Sequence, residues 1–535
     1  MELLGMTAVL AMAVTHVLVT NGKYMQPYHV PRETWHCIMG VYMLAWWFAR
    51  GGPVGLSPGA LFLAVLALAV WFLSAAMGLR PYIAIRHFLF FGFSLCFGLF
   101  FTTGINPVFL IRVFVAMAAV SATVALIEHR GHVRVFPAIK SRKRFEPAGL
   151  VGNPNAHAAY LQIHFILALY LVIHDHFMWL APAAVIEWAM VECRCRAAVA
   201  AQAIVLVIFL IYEKLLWLMP YLLIFSVMAV ASYWDRWKAN PYSLRERIRT
   251  WQVAWEQVKK TPLFGVGFNN WVVRVPWLQR GLNKRTNGAF LDRENFEAPW
   301  PELAHNDLLQ ALVDCGCAGV GVVGALLLLC AYRFFTQPAE AWAAYAAMAM
   351  VGYILSGVLF HVSYYLPINL CFFSLMGMLL RGSAITVPGP GVWMIPVLAA
   401  AAYLVWRYPV RHARFSGHFS RFLTGGQKEE KYLKAALRCE PDNSMANMMA
   451  VSFASRANNA GLWFAHTMKS IERHDGQTKL WLSYVTLGNL FLMNNAPVLA
   501  DAAYNQALEM CPWDMGALIG KEHLKTAEWI VTRRG

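Results

Sequence analysis

The sequence predicts an all-α fold: a polytopic membrane helix bundle of about thirteen spans, followed by a soluble tail of tetratricopeptide-like helices. Three observations predict it. Of 535 residues, 59% are apolar and only 14% charged, where a soluble protein carries roughly 25% charge. Apolar runs long enough to cross a bilayer, about 20 residues each, recur as far as residue 408. From residue 411 the composition turns ordinary and a repeat appears. Soluble, disordered and fibrous classes are excluded, because a mean hydropathy of +0.47 leaves too little polar surface to cover a globule.

The first run, residues 2–20, has no basic segment before it and no small-residue cleavage site leading to a soluble domain, so it reads as a span and not a removed signal. Further runs lie at 34–49, 59–78, 82–103, 107–128, 156–174, 178–192, 196–212, 215–233, 307–334, 341–362, 364–381 and 393–408. Those at 34–49 and 178–192 are short enough to be interfacial or re-entrant. The chain thus divides into N-terminal spans (1–128), a central region (129–410) and the tail (411–535). The ten cysteines are too scattered for a disulfide scaffold. A net charge of +16 must concentrate in loops and tail, which points to anionic partners, lipid headgroups or phosphates, and nucleic acid is not among the partners expected.

Two loops interrupt the spans. Residues 129–155 hold Arg130, Arg134, Lys140, Arg142, Lys143 and Arg144 and end in Gly152-Asn153-Pro154-Asn155; residues 234–306 form the longest polar stretch. Long connections without their own core usually carry function. The second opens with a helix capped by Ser243 and Glu246 and stopped before Pro262. On it Arg247, Trp251 and Trp255 share a face, with the indoles expected in the headgroup plane. In the tail, Ala436-Leu437, Pro441, Ala446 recurs as Ala507-Leu508, Pro512, Ala517 after about 71 residues, close to two periods of 34. Helices near 444–458, 460–474, 477–494 and 496–510 pair as two hairpins.

No Walker, zinc-type or Gly-x-Ser-x-Gly sequence is present. Cys193-x-Cys195 and Cys315-x-Cys317 read as small packed groups and not as metal ligands. The informative constellation is His305-Asn306-Asp307-Leu308-Leu309-Gln310, followed by Asp314 and Gly316, at the start of an apolar span. A helix N-terminus disfavours imidazolium, so His305 is either a neutral base or a helix-entry residue bonded to its own loop. Arginines near spans cost about 2.5–3.5 kcal/mol each at mid-bilayer. Arg86 reads as snorkelling, Arg112 and Arg194 as substrate-binding candidates, and Arg196 as one wall of a cationic pocket.

These pieces in this order resemble the O-antigen ligase and polymerase superfamily of membrane glycosyltransferases, which includes bacterial protein O-oligosaccharyltransferases. The matching pieces are Gly152-Asn153-Pro154-Asn155 with Ala156 and Ala159, Cys195-Arg196-Ala197-Ala198 where the family usually has Ser-Arg-Gly-Ala, and Arg247 four residues before Trp251. Pro262-Leu263-Phe264-Gly265-Val266-Gly267-Phe268-Asn269 and the run from His305 to Gly319 complete them. The resemblance implies glycan transfer from an undecaprenyl diphosphate carrier to a hydroxyl acceptor, without cofactor or metal, on the periplasmic side of a bacterial inner membrane. His305 then resembles the family's base, and Arg196 and Arg247 the cations that hold the diphosphate. Asn153, Asn155, Trp251, Asn306, Arg112 and Arg194 are substrate-binding candidates around them.

Thirteen spans with the N-terminus inside put both basic loops and the tail in the periplasm, whereas the positive-inside rule inverts the molecule. The family's orientation is adopted because a diphosphate site needs local cations. A helical-repeat tail suits a polypeptide, so a protein acceptor is expected ahead of lipid A-core, with glycan polymerisation third. A lipid-diphosphate flippase is the contrasting class, and it has no use for His305.

Overall fold

A computed structural model describes residues 29–50, 53–101, 105–131, 147–220, 242–287, 290, 303–336, 340–386, 394–424, 430–457, 459–474 and 479–534. The expected span at 2–20, the cations Arg134 to Arg144, most of the 215–233 run and residues 234–241 lie outside them. The described chain is all-helical apart from one two-stranded antiparallel ribbon, Pro53–Leu56 paired with Arg381–Thr386.

Six described helices are long and apolar enough to cross a membrane: Pro58–Ala76, Pro81–Leu99, Pro107–Gly131, Pro154–His174, Asp307–Thr336 and Ala341–Val358. The other expected runs among the described residues do form helices. Leu180–Cys193 and Leu366–Leu379 have 14 residues each, too short for a perpendicular crossing at about 1.5 Å per residue, whereas Met394–Val405 runs on through the π-turn Trp406–Val410 into Arg411–Thr424. The ring of helices shares one apolar core, from Cys37 through Tyr160 and Tyr345 to Val405.

The bundle has two distinct ends. At one, Arg112 meets Asp175, the His174 ring is 3.7 Å from Glu213, and Tyr345 donates to Glu213 at 2.7 Å. The ribbon is threaded to this end, where Arg333 donates to the Leu380 carbonyl. At the other, Leu79 N–H bonds Val266 O, Asp307 holds the 362–363 backbone, and Cys193 Sγ reaches Pro147 O.

The 234–306 loop differs from expectation because its described part has a core of its own. Helices Tyr242–Lys260 and Trp271–Arg285 close over a fully buried Trp271, with Val253, Ala254, Val258 and Val313 around it. Between these helices, residues 262–267 insert into the long helix Asp307–Thr336. Cys317 N–H donates to Pro262 O and Ala318 N–H to Leu263 O, in place of their normal partners four residues back. Those carbonyls, Val313 and Asp314, accept instead from Val266 and Gly267 at 2.9 Å. The exchange needs Gly316 at φ 65°, where a Cβ would run into the Leu263 backbone, and Gly265 at φ 67° against Asp314.

In the tail the helices Ser444–Arg456 and Ala460–Glu472 pack as one hairpin, and Leu480–Met493 and Pro497–Met510 as another, as the spacing anticipates. Polar contacts join tail and bundle among the described residues. Tyr82 and His412 share Glu440, Arg80 donates to the Glu472 and His474 carbonyls, and Arg280 pairs with Glu509.

Candidate functional site

His305 sits one residue before the helix cap, in the left-handed region at φ 54°, a conformation that costs a non-glycine side chain about 1–3 kcal/mol and must be held in place. The restraints are close by. Asn306 Oδ1 caps the helix by accepting from Leu309 N–H at 2.9 Å, and its Nδ2 donates to Val358 O at 2.8 Å. Asp307 accepts from Val362 N–H, Ser363 N–H and Ser363 Oγ, which fixes the 361–365 turn beside it. Gln310 bonds Ala304 N–H and Asp314, and Asp314 also takes Tyr364 OH and Asn269 N–H. The stretch His305 to Gly316 is therefore a hydrogen-bonded frame around one imidazole.

That imidazole has a partner the sequence reading missed. His361 Nδ1 lies 3.0 Å from His305 Nδ1, and His361 is almost fully buried against Phe360 and Tyr365. One Nδ1 must donate and the other accept. When His305 donates, its Nε2 keeps a lone pair and the ring acts as a base. A histidine between two spans carries no periodic signature, so only contact could reveal it.

Electrostatics keep His305 neutral. Burial, and then the Arg247 charge, push its pKa down to about 4. Burial pushes the Cys195 thiol up, and the charges of Arg247, half-buried on the Tyr242–Lys260 helix, and of adjacent Arg196 offset part of this. Arg247 is thus within electrostatic range of both the His305 ring and the Cys195-Arg196 turn. That turn is built by Arg194 at φ 53°, which ends one helix so that Arg196 begins the next, and both arginine side chains are exposed. Trp251 is half-buried one turn beyond Arg247, and its indole N–H has no hydrogen-bond partner among the described residues.

Three candidates find other roles. Arg112 is held by Asp175, Nε to Oδ2 at 2.9 Å, at the end of the bundle away from His305. Asp175 follows the helix whose first turns adjoin Cys193, about 27 Å away along its axis. That carboxylate holds the guanidinium, and the structure does not bring Arg112 together with the other candidates. Asn153 spends its side-chain oxygen as the cap of Pro154–His174, accepting from Asn155 and Ala156 N–H. Asn155 is half-buried on that first turn. Asn306 is likewise a cap before it is a ligand.

Residues 189–324 match the sequence family described as O-antigen ligase. That stretch, about a quarter of the chain, is similar to the O-antigen ligases. The matched stretch contains Arg194, Arg196, Arg247, Trp251, His305 and the whole 262–267 insertion with its receiving kink. It ends before His361 and before the tail. No curated protein matches the chain.

Proposed function

We propose that this chain transfers a glycan from an undecaprenyl diphosphate donor to the hydroxyl of a protein acceptor, with inversion and without a metal, at a periplasmic-facing site in a bacterial inner membrane. The observation that carries the reading is the His305 ring, held at φ 54° and set 3.0 Å from buried His361 Nδ1, in the stretch that matches the O-antigen ligases, with the Arg247 charge in range of it. His305 Nε2 removes the acceptor proton as oxygen attacks the anomeric carbon. The bond from that carbon to the diphosphate oxygen breaks, and the departing charge is stabilised by Arg196 and Arg247. The proton rests on His305, whose imidazolium keeps its Nδ1–H bond to the His361 lone pair. His361 is thus a positioning residue, fixing the tautomer that leaves Nε2 free.

A second reading takes lipid A-core as the acceptor, and the match of residues 189–324 to a family described as O-antigen ligase favours it. Purified protein given a lipid diphosphate glycan, with lipid A-core and a periplasmic protein side by side, separates the two by the product that forms. Donor that is moved across vesicle membranes but never transferred to either acceptor overturns both and leaves the flippase.

A further inference from the structure

A cavity of about 660 Å³ lies where bundle meets tail, and His361 forms part of its wall. Five guanidiniums line it: Arg80 and Arg86 beside the Pro81 helix start, Arg407 and Arg411 on the segment leading into the tail, and Arg473 within the tail. Three carboxylates oppose them, and two of these are already engaged. Glu33 is 3.8 Å from Arg86, Glu440 is shared by Tyr82, His412 and Asn443, and Asp442 is exposed. The Nε of Arg86 is buried with no hydrogen-bond partner, and Arg407 has no ion pair among the described residues. The wall therefore carries surplus positive charge and unspent donors.

We propose that this cavity docks the acceptor, and that it takes an acidic polypeptide segment flanking the hydroxyl to be glycosylated. Three observations converge. Its cations outnumber its carboxylates. It adjoins the base through His361, while Arg196 and Arg247, which serve the diphosphate, are not in its lining. Its outer wall, Glu440 to Asn443 and Arg473, belongs to tail helices and turns outside every candidate span, so the occupant enters from water and not from hydrocarbon. Ring faces from Tyr82 and Tyr365 offer apolar contact beside the charges. The word acceptor rests on the transferase reading; the docking is measured without transfer.

The test uses the full-length protein in lipid nanodiscs and a fluorescent serine-containing peptide rich in Asp and Glu, with its Asn and Gln analogue as control. The acidic peptide is expected to bind at least about tenfold more tightly than the analogue, with affinity falling as salt rises. Arg407→Glu and Arg473→Glu should each weaken it about tenfold. Lys434→Glu, on the exposed tail surface away from the cavity, should leave it unchanged. Arg407→Gln, checked for an unaltered unfolding midpoint, guards against misfolding and should give a smaller loss of the same sign. Equal affinity for peptide and analogue, or indifference to both charge reversals, overturns the proposal. Lipid A-core micelles that bind through Arg407 and Arg473 while the peptide does not would overturn it in favour of an anionic glycolipid. Peptide docking without any transfer upholds the cavity and removes the transferase reading, whereas transfer without peptide docking does the reverse.

Discussion

The two ends of the bundle use arginine in opposite ways. Around Asp175, Arg112 is matched by a carboxylate, and Tyr345 and His174 crowd onto Glu213, so each cation or donor meets an acceptor that favours it. Around His305, Arg247 is set against an imidazole that it makes harder to protonate. The first arrangement is complementary and contributes to stability. The second is frustrated, and it is tolerated because Asn306, Asp307, Gln310 and the inserted 262–267 segment hold the ring in place. Like residue types at like positions near helix ends thus serve holding in one case and chemistry in the other. The partner decides which.

The comparison breaks first at His305. His305→Ala should lower glycan transfer about 10²- to 10⁴-fold while lipid-diphosphate binding persists, measured by product formation beside donor binding. Retained transfer would make both ends merely structural. Arg196→Ala and Arg247→Ala should weaken donor use by about 10- to 100-fold, since each removes a charge-assisted contact of about 1.5–3 kcal/mol.

Next comes the frame. Gly316→Ala forces a Cβ into the Leu263 backbone at positive φ and should cost about 1–3 kcal/mol or more, seen as a lowered midpoint in thermal unfolding. The same change at Gly324, whose Cβ would meet open space, should cost nothing of that kind.

The pH dependence sharpens the contrast. With a folded pKa of about 4 against an ordinary 6.5, His305 is neutral in both folded and unfolded chains above 6.5 and contributes nothing to the slope there. Between 6.5 and about 4 the unfolded chain takes up a proton that the folded chain refuses, so stability falls as pH falls. Buried His474, also pushed down to about 4 by burial and the Arg80 charge, adds the same slope at the tail contact. Transfer should stay level until the pH nears 4 and then fail, and His305→Gln should flatten part of the stability slope in a midpoint-against-pH series. The smallest effect is expected at Arg112→Ala: no more than about 1 kcal/mol, because the arginine is half exposed, and transfer within about twofold of the unaltered protein.

Much of the molecule was legible in sequence because it is written in local patterns. Hydropathy marks the spans, Pro262 marks where the helix that carries Arg247 ends, and alanine and proline spacing marks the tail hairpins. The order of short motifs from Arg196 to Gly319 pointed to the family. What misled was a pattern with two outcomes. An arginine in an apolar run has the same signature whether it meets a substrate or an aspartate, so the pairing of Arg112 with Asp175 could not be read there, whereas Asn153 before Pro154 has the form of a helix cap. The polar loop after residue 234 concealed a core, because Val266, Val272 and Val313 become one cluster only once the loop folds back on the long helix.

Sequence by itself therefore determined the class of protein, the periodic elements and the neutral character expected of an imidazole at a helix start. Tertiary structure alone decided that position 361 stands beside position 305, that one arginine acts on both the ring and the Cys195 turn, and that the tail closes a cationic cavity against the bundle. The division has a physical reason. Helix formation and bilayer partition depend on neighbours a few residues away, whereas the pKa, tautomer and partner of a charged group depend on distances of a few ångströms between segments far apart in the chain.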